Sequence, residues 1–354
     1  MAGGPAKIPE WRNVDVKTFR GEIVPRDRPA VMRGLVGHWP AVHAGIRSPQ
    51  ALYDYIRPRD LGHATTTFIG PPDIRGGFFY SDDLSGMNFR RVPQAFHAAM
   101  ESMLAHLDHL DPPAIYAPAA SGLGFPDFAR ENTLELLDAS VVPRLWLGNA
   151  VTAPTHYDMH DNVACMVAGH KRFTLFPPDQ LANLYVGPLD LSPGGQPTSL
   201  VRLANPDLQR FPRFAQALAA AETADLEPGD AIFIPNLWWH NVESLDPINL
   251  LVNYWWFGAS RGAGSPYAAL VMGLMSITEL PESRREIWRT IFDHYVFQSN
   301  GDPVPYLPAD RRGVLGPIDA ALLAYMREGV IKSLVAPLSK EAAEHLWRRV
   351  TSGG

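Results

Sequence analysis

Short apolar runs, each closed by a proline or glycine turn, restrict this chain more than any other feature. The 354 residues contain 33 prolines and 29 glycines, and most fall between runs of only a few apolar side chains. Runs that short, bounded by helix breakers, read as strands. The densest series covers Ala114–Ala117, Arg144–Leu147, Thr155–Ala168, Arg172–Phe176 and Ser199–Leu203. It continues through Thr223–Leu226, Ala231–Ile234, Trp239–Glu243 and Asn249–Phe257. Turns separate them at Ala168-Gly169-His170, Pro177-Pro178 and Glu227-Pro228-Gly229-Asp230. Strands at this spacing predict a mainly β sandwich or barrel.

The flanks read differently, which divides the chain into an N-terminal α/β elaboration (1–111), a strand-rich core (112–258) and a C-terminal helical region (259–354). Helical spacing appears in Ser48–Ile56 and in Arg91–Leu110, where Phe96, Met100, Met103, Leu104 and Leu107 fall near i, i+3, i+4. After Gly258 it returns in Pro266–Glu279, Glu282–Phe297, Ile318–Leu334 and Ser339–Val350, with Pro281 where a helix start tolerates proline. This tail suits either a lid or a homodimer surface. Hydrophobic residues at 46% and charged residues at 19% are the balance of a globule with a real core. The net charge of −6 is no basic footprint and argues against a nucleic-acid partner. Cys165 is the single cysteine, which excludes an internal disulfide and a zinc ribbon. Met1–Asn13 lacks the apolar segment of a secretory signal, and the apolar stretch Ala268–Ile277 is far short of the ~18 residues of a membrane span. A cytoplasmic protein with no membrane partner is expected.

The chemistry concentrates in His156-Tyr157-Asp158. Residues i and i+2 of a strand face the same way, so an imidazole and a carboxylate stand side by side. Alone, this pair is weak, since a strand histidine usually just bonds a neighbour. A third ligand is available at His240, beyond the Pro228-Gly229-Asp230 turn and the strand Ala231–Ile234. His240 alone, beside Trp238 and Trp239, would read as a packed interior histidine. Together the three form two histidines and one carboxylate, the facial set of non-heme iron(II) oxygenases. His160 and Asp161 are rivals, and His160 shares parity with Asp158. A reading through His160 reverses the order of histidine and aspartate, so His160 is expected beside the ligands or exposed.

Lys171 opens the strand after the Gly169 turn. If it points inward it needs an anion, and a compact ammonium suits a terminal carboxylate. Arg172 is the alternative, because neighbours on a strand face opposite ways, and a solvated hairpin lysine is the plain reading. Several strings here are shared with a known family: Thr155-His156-Tyr157-Asp158, Gly169-His170-Lys171-Arg172, Leu175-Phe176-Pro177-Pro178-Asp179-Gln180, Trp238-Trp239-His240, Glu243-Ser244 and Val252-Asn253-Tyr254-Trp255. With Asn162, Pro228-Gly229-Asp230 and Ile234-Pro235, they make residues 112–258 resemble the Jumonji-C, or cupin-8, group of 2-oxoglutarate oxygenases. Within it the pattern is similar to the asparaginyl hydroxylases that act on hypoxia-inducible factor. The segment Arg28–Val36 resembles the family's N-terminal portion.

The resemblance implies a double-stranded β-helix (cupin or jelly-roll) barrel. It implies iron(II) on His156, Asp158 and His240, with 2-oxoglutarate as co-substrate and O2 as oxidant. It assigns Lys171 and Tyr116 to the far carboxylate of 2-oxoglutarate, and Asn162 and Asn253 to the pocket lining. Trp238, Trp239 and Trp255 would supply a dry wall. In one respect the chain departs from the pattern. The hydroxylases carry a threonine three residues before the first ligand, where this chain has Ala153; Thr152 and Thr155 are the nearby hydroxyls. The implied reaction is hydroxylation of a protein or peptide side chain, with demethylation or tRNA-base hydroxylation as family alternatives. A zinc or manganese cupin and a non-catalytic metal-binding module are the rivals outside it. The C-terminal helices match the family's dimerisation helices in position only.

Overall fold

The protein is described from a computed structural model covering residues 5–257 and 265–352. The chain divides into two compact units, Met1–Gly258 and Ala259–Gly354.

The first unit is mainly β. A five-stranded sheet has the order β1 (Ala6–Lys7), β11 (Glu222–Leu226), β10 (Lys171–Phe176), β13 (Trp239–Ser244), β8 (Thr152–Tyr157). A nine-stranded sheet has the order β2 (Glu10–Arg12), β3 (Ala30–Arg33), β12 (Ala231–Ile234), β9 (Asp161–Ala168), β14 (Asn249–Trp256), β7 (Pro143–Gly148), β6 (Ala114–Ser121), β4 (Ala64–Gly70), β5 (Arg90–Ala95). Strands from before and after residue 112 thus share the larger sheet. Both sheets are mixed, since β1 pairs with β11 and β2 with β3 in parallel while the other ladders are antiparallel. The expected mainly β architecture is present as two sheets over a shared core, without hydrogen bonds closing them into one continuous barrel among the described residues.

Two apolar layers explain why β9 reads as an unbroken run. Ala164 and Met166 face Phe173, Leu175, Ile232 and Leu251 between the sheets. Val163, Cys165 and Val167 face the other way, against Phe19, Trp39, Val42 and Leu52 from the N-terminal segment. A strand covered on both faces loses the alternation that marks a half-solvated one. The helix Pro40–Arg47 packs closely enough on β9 that a Cβ at Gly45 would lie 2.4 Å from the Val167 carbonyl oxygen. Asp230, 3% exposed, fastens the N-terminal segment to the core. It accepts from the Gly34 N–H at 2.9 Å and pairs with the Arg33 guanidinium.

Three expectations from the sequence change. Arg91–Leu110 is not one helix: Arg90–Ala95 is a strand paired with β4, and the helix runs only from Phe96 to Leu104. Pro93, which lacks an N–H, is accommodated because β5 is an edge strand. Thr155–Ala168 is two strands, because the chain leaves the small sheet after Tyr157 and enters the large one at Asp161. Ser199–Leu203 makes only isolated bridges, Ser199 to Val186 and its neighbour Thr198 to His156.

The second unit carries helices at Pro266–Ser276, Glu282–Tyr295, Ala320–Val335 and Lys340–Ser352. Pro281 is the N-cap of the second and Asp319 caps the third through its side chain. Many of its large apolar side chains are exposed, Met275, Trp288 and Phe297 among them. Among the described residues of the chain, no helix is long and apolar enough to cross a membrane.

Candidate metal centre and adjoining pocket

His156 lies near the end of β8 and His240 near the start of β13, directly opposite in register. Cross-strand partners point to the same side, and the two rings lie 4.3 Å apart between centroids. Asp158 follows where the chain crosses between the sheets, and its carbonyl accepts from Leu237 N–H at 2.8 Å. The ligand atoms of the three side chains all lie within 4.8 Å of one another. His240 and Asp158 are 4% and 5% exposed.

The rings are oriented from behind. His156 Nδ1 lies 2.7 Å from the Pro154 carbonyl and His240 Nδ1 lies 3.0 Å from that of Trp238. A carbonyl can only accept, so each Nδ1 carries the proton and each Nε2 keeps its lone pair for a ligand. Burial, with the nearby His156, pushes His240 down to about 4 despite the Asp158 carboxylate. It therefore stays a neutral imidazole, the form that binds metal. Two Nε2 atoms and one carboxylate fit a divalent cation, and a facial set leaves coordination positions open.

His160 is not among the three. Its ring stacks on Trp255 at 5.7 Å and leans on Phe257 at 4.0 Å. Burial lowers its pKa, Asp158 opposes that, and the charge of Arg144 adds to it. Asp161 also stands apart, accepting from Asn236 N–H at 3.1 Å.

The three converge on a cavity of about 250 Å³, which Lys171, Tyr116, Asn162 and Asn253 also line. Lys171 is 3% exposed and donates to Ser244 Oγ at 2.6 Å. No carboxylate lies within ion-pairing range of it among the described residues, and burial lowers its pKa to about 7. Arg172 points outward and pairs with Asp225 at 2.8 Å, so it is not the inward cation. The charge of Lys171, when it is protonated, has no counter-ion among the described residues, and an anion entering the cavity would offset the cost of burying it. Tyr116 stacks on Phe78, and burial, with Asp158 nearby, raises its pKa. Asn253 Nδ2 donates to Asn162 Oδ1 at 3.0 Å, and Asn253 Oδ1 accepts from Trp146 Nε1 at 2.6 Å.

Ala153 lines the cavity, so the departure from the family pattern falls on its wall. Thr155 does not compensate, because its hydroxyl is buried without a partner and it is not part of the lining. Of the three tryptophans expected as a wall, only Trp255 lines the cavity. Trp239 packs with Phe176 and Phe214, and Trp238 with the core between the sheets.

Sequence reasoning missed three lining or supporting residues. Trp146 shares the inward parity of its strand, which alternation could have shown. Ser244 lies in a quoted string, but its role appears only through its pairing with Lys171. Thr198, 2% exposed, reaches the cavity by bridging to His156 from an irregular segment that carries no periodic signal.

Comparison with known proteins agrees with this geometry. A model of the cupin-like domain, Cupin_8, matches residues 16–261, well beyond the strand-rich core. The chain is 37% identical over 127 residues to Lysine-specific demethylase JMJ31 of Arabidopsis thaliana, covering 35% of this chain and 23% of that protein. It is 39% identical over 113 residues to human HSPB1-associated protein 1, covering 31% and 22%. With tRNA wybutosine-synthesizing protein 5 of Danio rerio it shares 27% identity over 266 residues, covering 71% and 75%. The match therefore spans under a quarter of the first two relatives.

Proposed function

Because the chain belongs to the cupin-8 family of cupin-like domains, we propose that it is an iron(II)- and 2-oxoglutarate-dependent oxygenase that hydroxylates a protein or peptide side chain. The observation that carries this reading is one cavity holding both a two-histidine, one-carboxylate set and a buried ammonium without a counter-ion.

His156, Asp158 and His240 would hold the iron. When bound, iron with 2-oxoglutarate and O2 supplies the oxidation: one oxygen atom enters the substrate C–H bond, the other enters succinate, and CO2 leaves. The chain's own part is placement and exclusion of water. Lys171 offers its ammonium to the far carboxylate, with Ser244 holding Nζ in place. Tyr116, from the nine-stranded sheet, supplies a phenol to the same cavity, kept protonated by burial. The Asn162–Asn253–Trp146 chain of hydrogen bonds keeps the amides fixed beside the metal ligands. Trp255, Phe68 and Phe78 add apolar surface to the lining.

The net charge of −6 favours a protein substrate over RNA. The relatives named for a demethylase and for HSPB1 association also fit a protein target. Demethylation of such a target needs the same chemistry. A second reading, modification of a tRNA base, rests on the match to the wybutosine-synthesizing protein, which covers 71% of this chain. A cytoplasmic homodimer through the C-terminal helices completes the proposal.

The test is succinate formation from 2-oxoglutarate under O2 with added iron(II), with His156→Ala as control. Succinate that depends on iron and vanishes in the variant is the expected result. No succinate from the wild type with peptide or tRNA pools, or tight purification with zinc and activity without iron, would overturn the reading.

A further inference from the structure

One cation beside a cavity-lining ring, though not itself in the lining, has its charge left unanswered by the fold. Arg144 opens β7 just after Pro143, and its register partner on β14 is Asn253. It shares parity with Trp146, so both face the cavity side of the large sheet. Its guanidinium lies 5.1 Å from the centroid of the Trp255 ring, which lines the cavity. Among the described residues no carboxylate comes within ion-pairing distance of the Arg144 guanidinium, and its side-chain N–H groups have no hydrogen-bond partner, while its backbone lies between Asn253 and Ser121.

Other arginines nearby are engaged. Arg172 pairs with Asp225, and Arg91 donates to the Pro193 carbonyl at 2.9 Å. Arg144 also stands at the same end of the sheets as the metal ligands. β9 begins at Asp161, just past Asp158, and its Asn162 pairs with Trp255 at the closing end of β14. The guanidinium therefore faces the rim across from the sheet that carries His156 and His240. Trp255 lies against it, and the planar fork of a guanidinium matches a carboxylate in two parallel hydrogen bonds.

We propose that Arg144 is a specificity-determining residue that receives a substrate carboxylate, so that accepted peptides carry an acidic side chain beside the residue that is oxidised. This rests on the oxygenase reading above. A peptide is favoured over a phosphodiester strand because a strand needs several cations in a row. Among the described residues Lys171 is the only lysine or arginine in the cavity lining, and it lies with Ser244 inside.

The test uses the full chain loaded with manganese(II) and 2-oxoglutarate, and fluorescent peptide pools of equal length enriched in acidic, neutral or basic residues. Anisotropy reads binding without turnover. The wild type is expected to bind the acidic pool about tenfold more tightly than the neutral one. Arg144→Gln should abolish that preference, Arg144→Lys should keep part of it, and Arg144→Glu should transfer it to the basic pool. Melting temperatures within a few degrees of wild type show that the variants are folded. Equal binding of all pools, no binding of the acidic pool, or an acidic preference that survives Arg144→Glu overturns the proposal. So does tight binding of poly(U) that depends on Arg144, which assigns the site to phosphate. Peptide-free succinate formation by the wild type is measured separately, so loss of the oxygenase reading is seen independently.

Discussion

Lys171 sets the pH behaviour of the site. Its amine is buried and its pKa falls from 10.5 to about 7. Between those values the unfolded chain holds a proton that the folded one has shed, so this group's contribution to stability rises with pH across that window. Below about pH 7 the fold carries the full cost of a buried charge. A dicarboxylate needs the ammonium, so binding above about pH 7 must take up a proton. The dissociation constant of 2-oxoglutarate should rise with pH, approaching tenfold per pH unit above about 7. Titration calorimetry in buffers of different ionisation enthalpy would check it; binding without proton uptake at pH 8 contradicts it. Lys171→Met should raise the melting temperature while removing saturable 2-oxoglutarate binding, since an apolar side chain suits the buried site better than an unpaired charge. At this scale the sequence was informative. His156 and Asp158 follow a period of two, and strand parity reads through to side-chain direction; for Lys171 parity left Arg172 as the alternative, and only burial separates them. Thr198 obeys no period, because it arrives from a segment held by bridges alone.

Among the elements, the turn at Pro228-Gly229-Asp230 does more than reverse the chain. Asp230 binds β3 to the head of β12 through Arg33 and Gly34. Asp230→Ala should cost about 2 kcal/mol, because it leaves the Gly34 N–H unpaired and takes one of two carboxylate partners from Arg33, which keeps Glu10. Chemical denaturation would measure it, and a loss under 1 kcal/mol would show the tie to be dispensable. This link joins residues far apart in sequence, so only the turn itself could be read beforehand. The same reason hid β5. Phe96, Met100 and Met103 are helical, and their spacing extends backwards over Arg91–Ala95 by coincidence. What makes those residues a strand is β4, whose ladder lies outside any local window.

The whole molecule combines a densely packed β unit with a helical unit whose apolar side chains remain largely exposed. A groove of about 1000 Å³ runs between the helices Pro266–Ser276 and Glu282–Tyr295, lined by Leu270, Leu274, Trp288 and Phe292. Exposed apolar surface on that scale marks an interaction site, and the homodimer proposed above is the simplest occupant. Light scattering at micromolar concentration should return twice the chain mass, and Trp288→Asp should return a monomer. A monomeric wild type ends the idea. Helical periodicity revealed the helices of this unit, with ends one to three residues off, but periodicity cannot say what covers an apolar face.

The ladder between β10 and β13 also acts as a ruler. Lys171 is paired with Ser244 and Leu175 with His240, so metal ligand and ammonium sit four residues apart on one sheet. That is roughly 13 Å between backbone positions at about 3.3 Å per residue, a spacing that hydrogen-bond register holds constant and that the inward reach of the two side chains shortens. Under the proposed function, a co-substrate held at the metal ligands and at Lys171 would be measured for length by that spacing. Oxaloacetate, one carbon shorter, and 2-oxoadipate, one carbon longer, should each support at least tenfold less turnover than 2-oxoglutarate. Selectivity for chain length would then rest on strand pairing, which fixes where the Lys171 and His240 side chains begin.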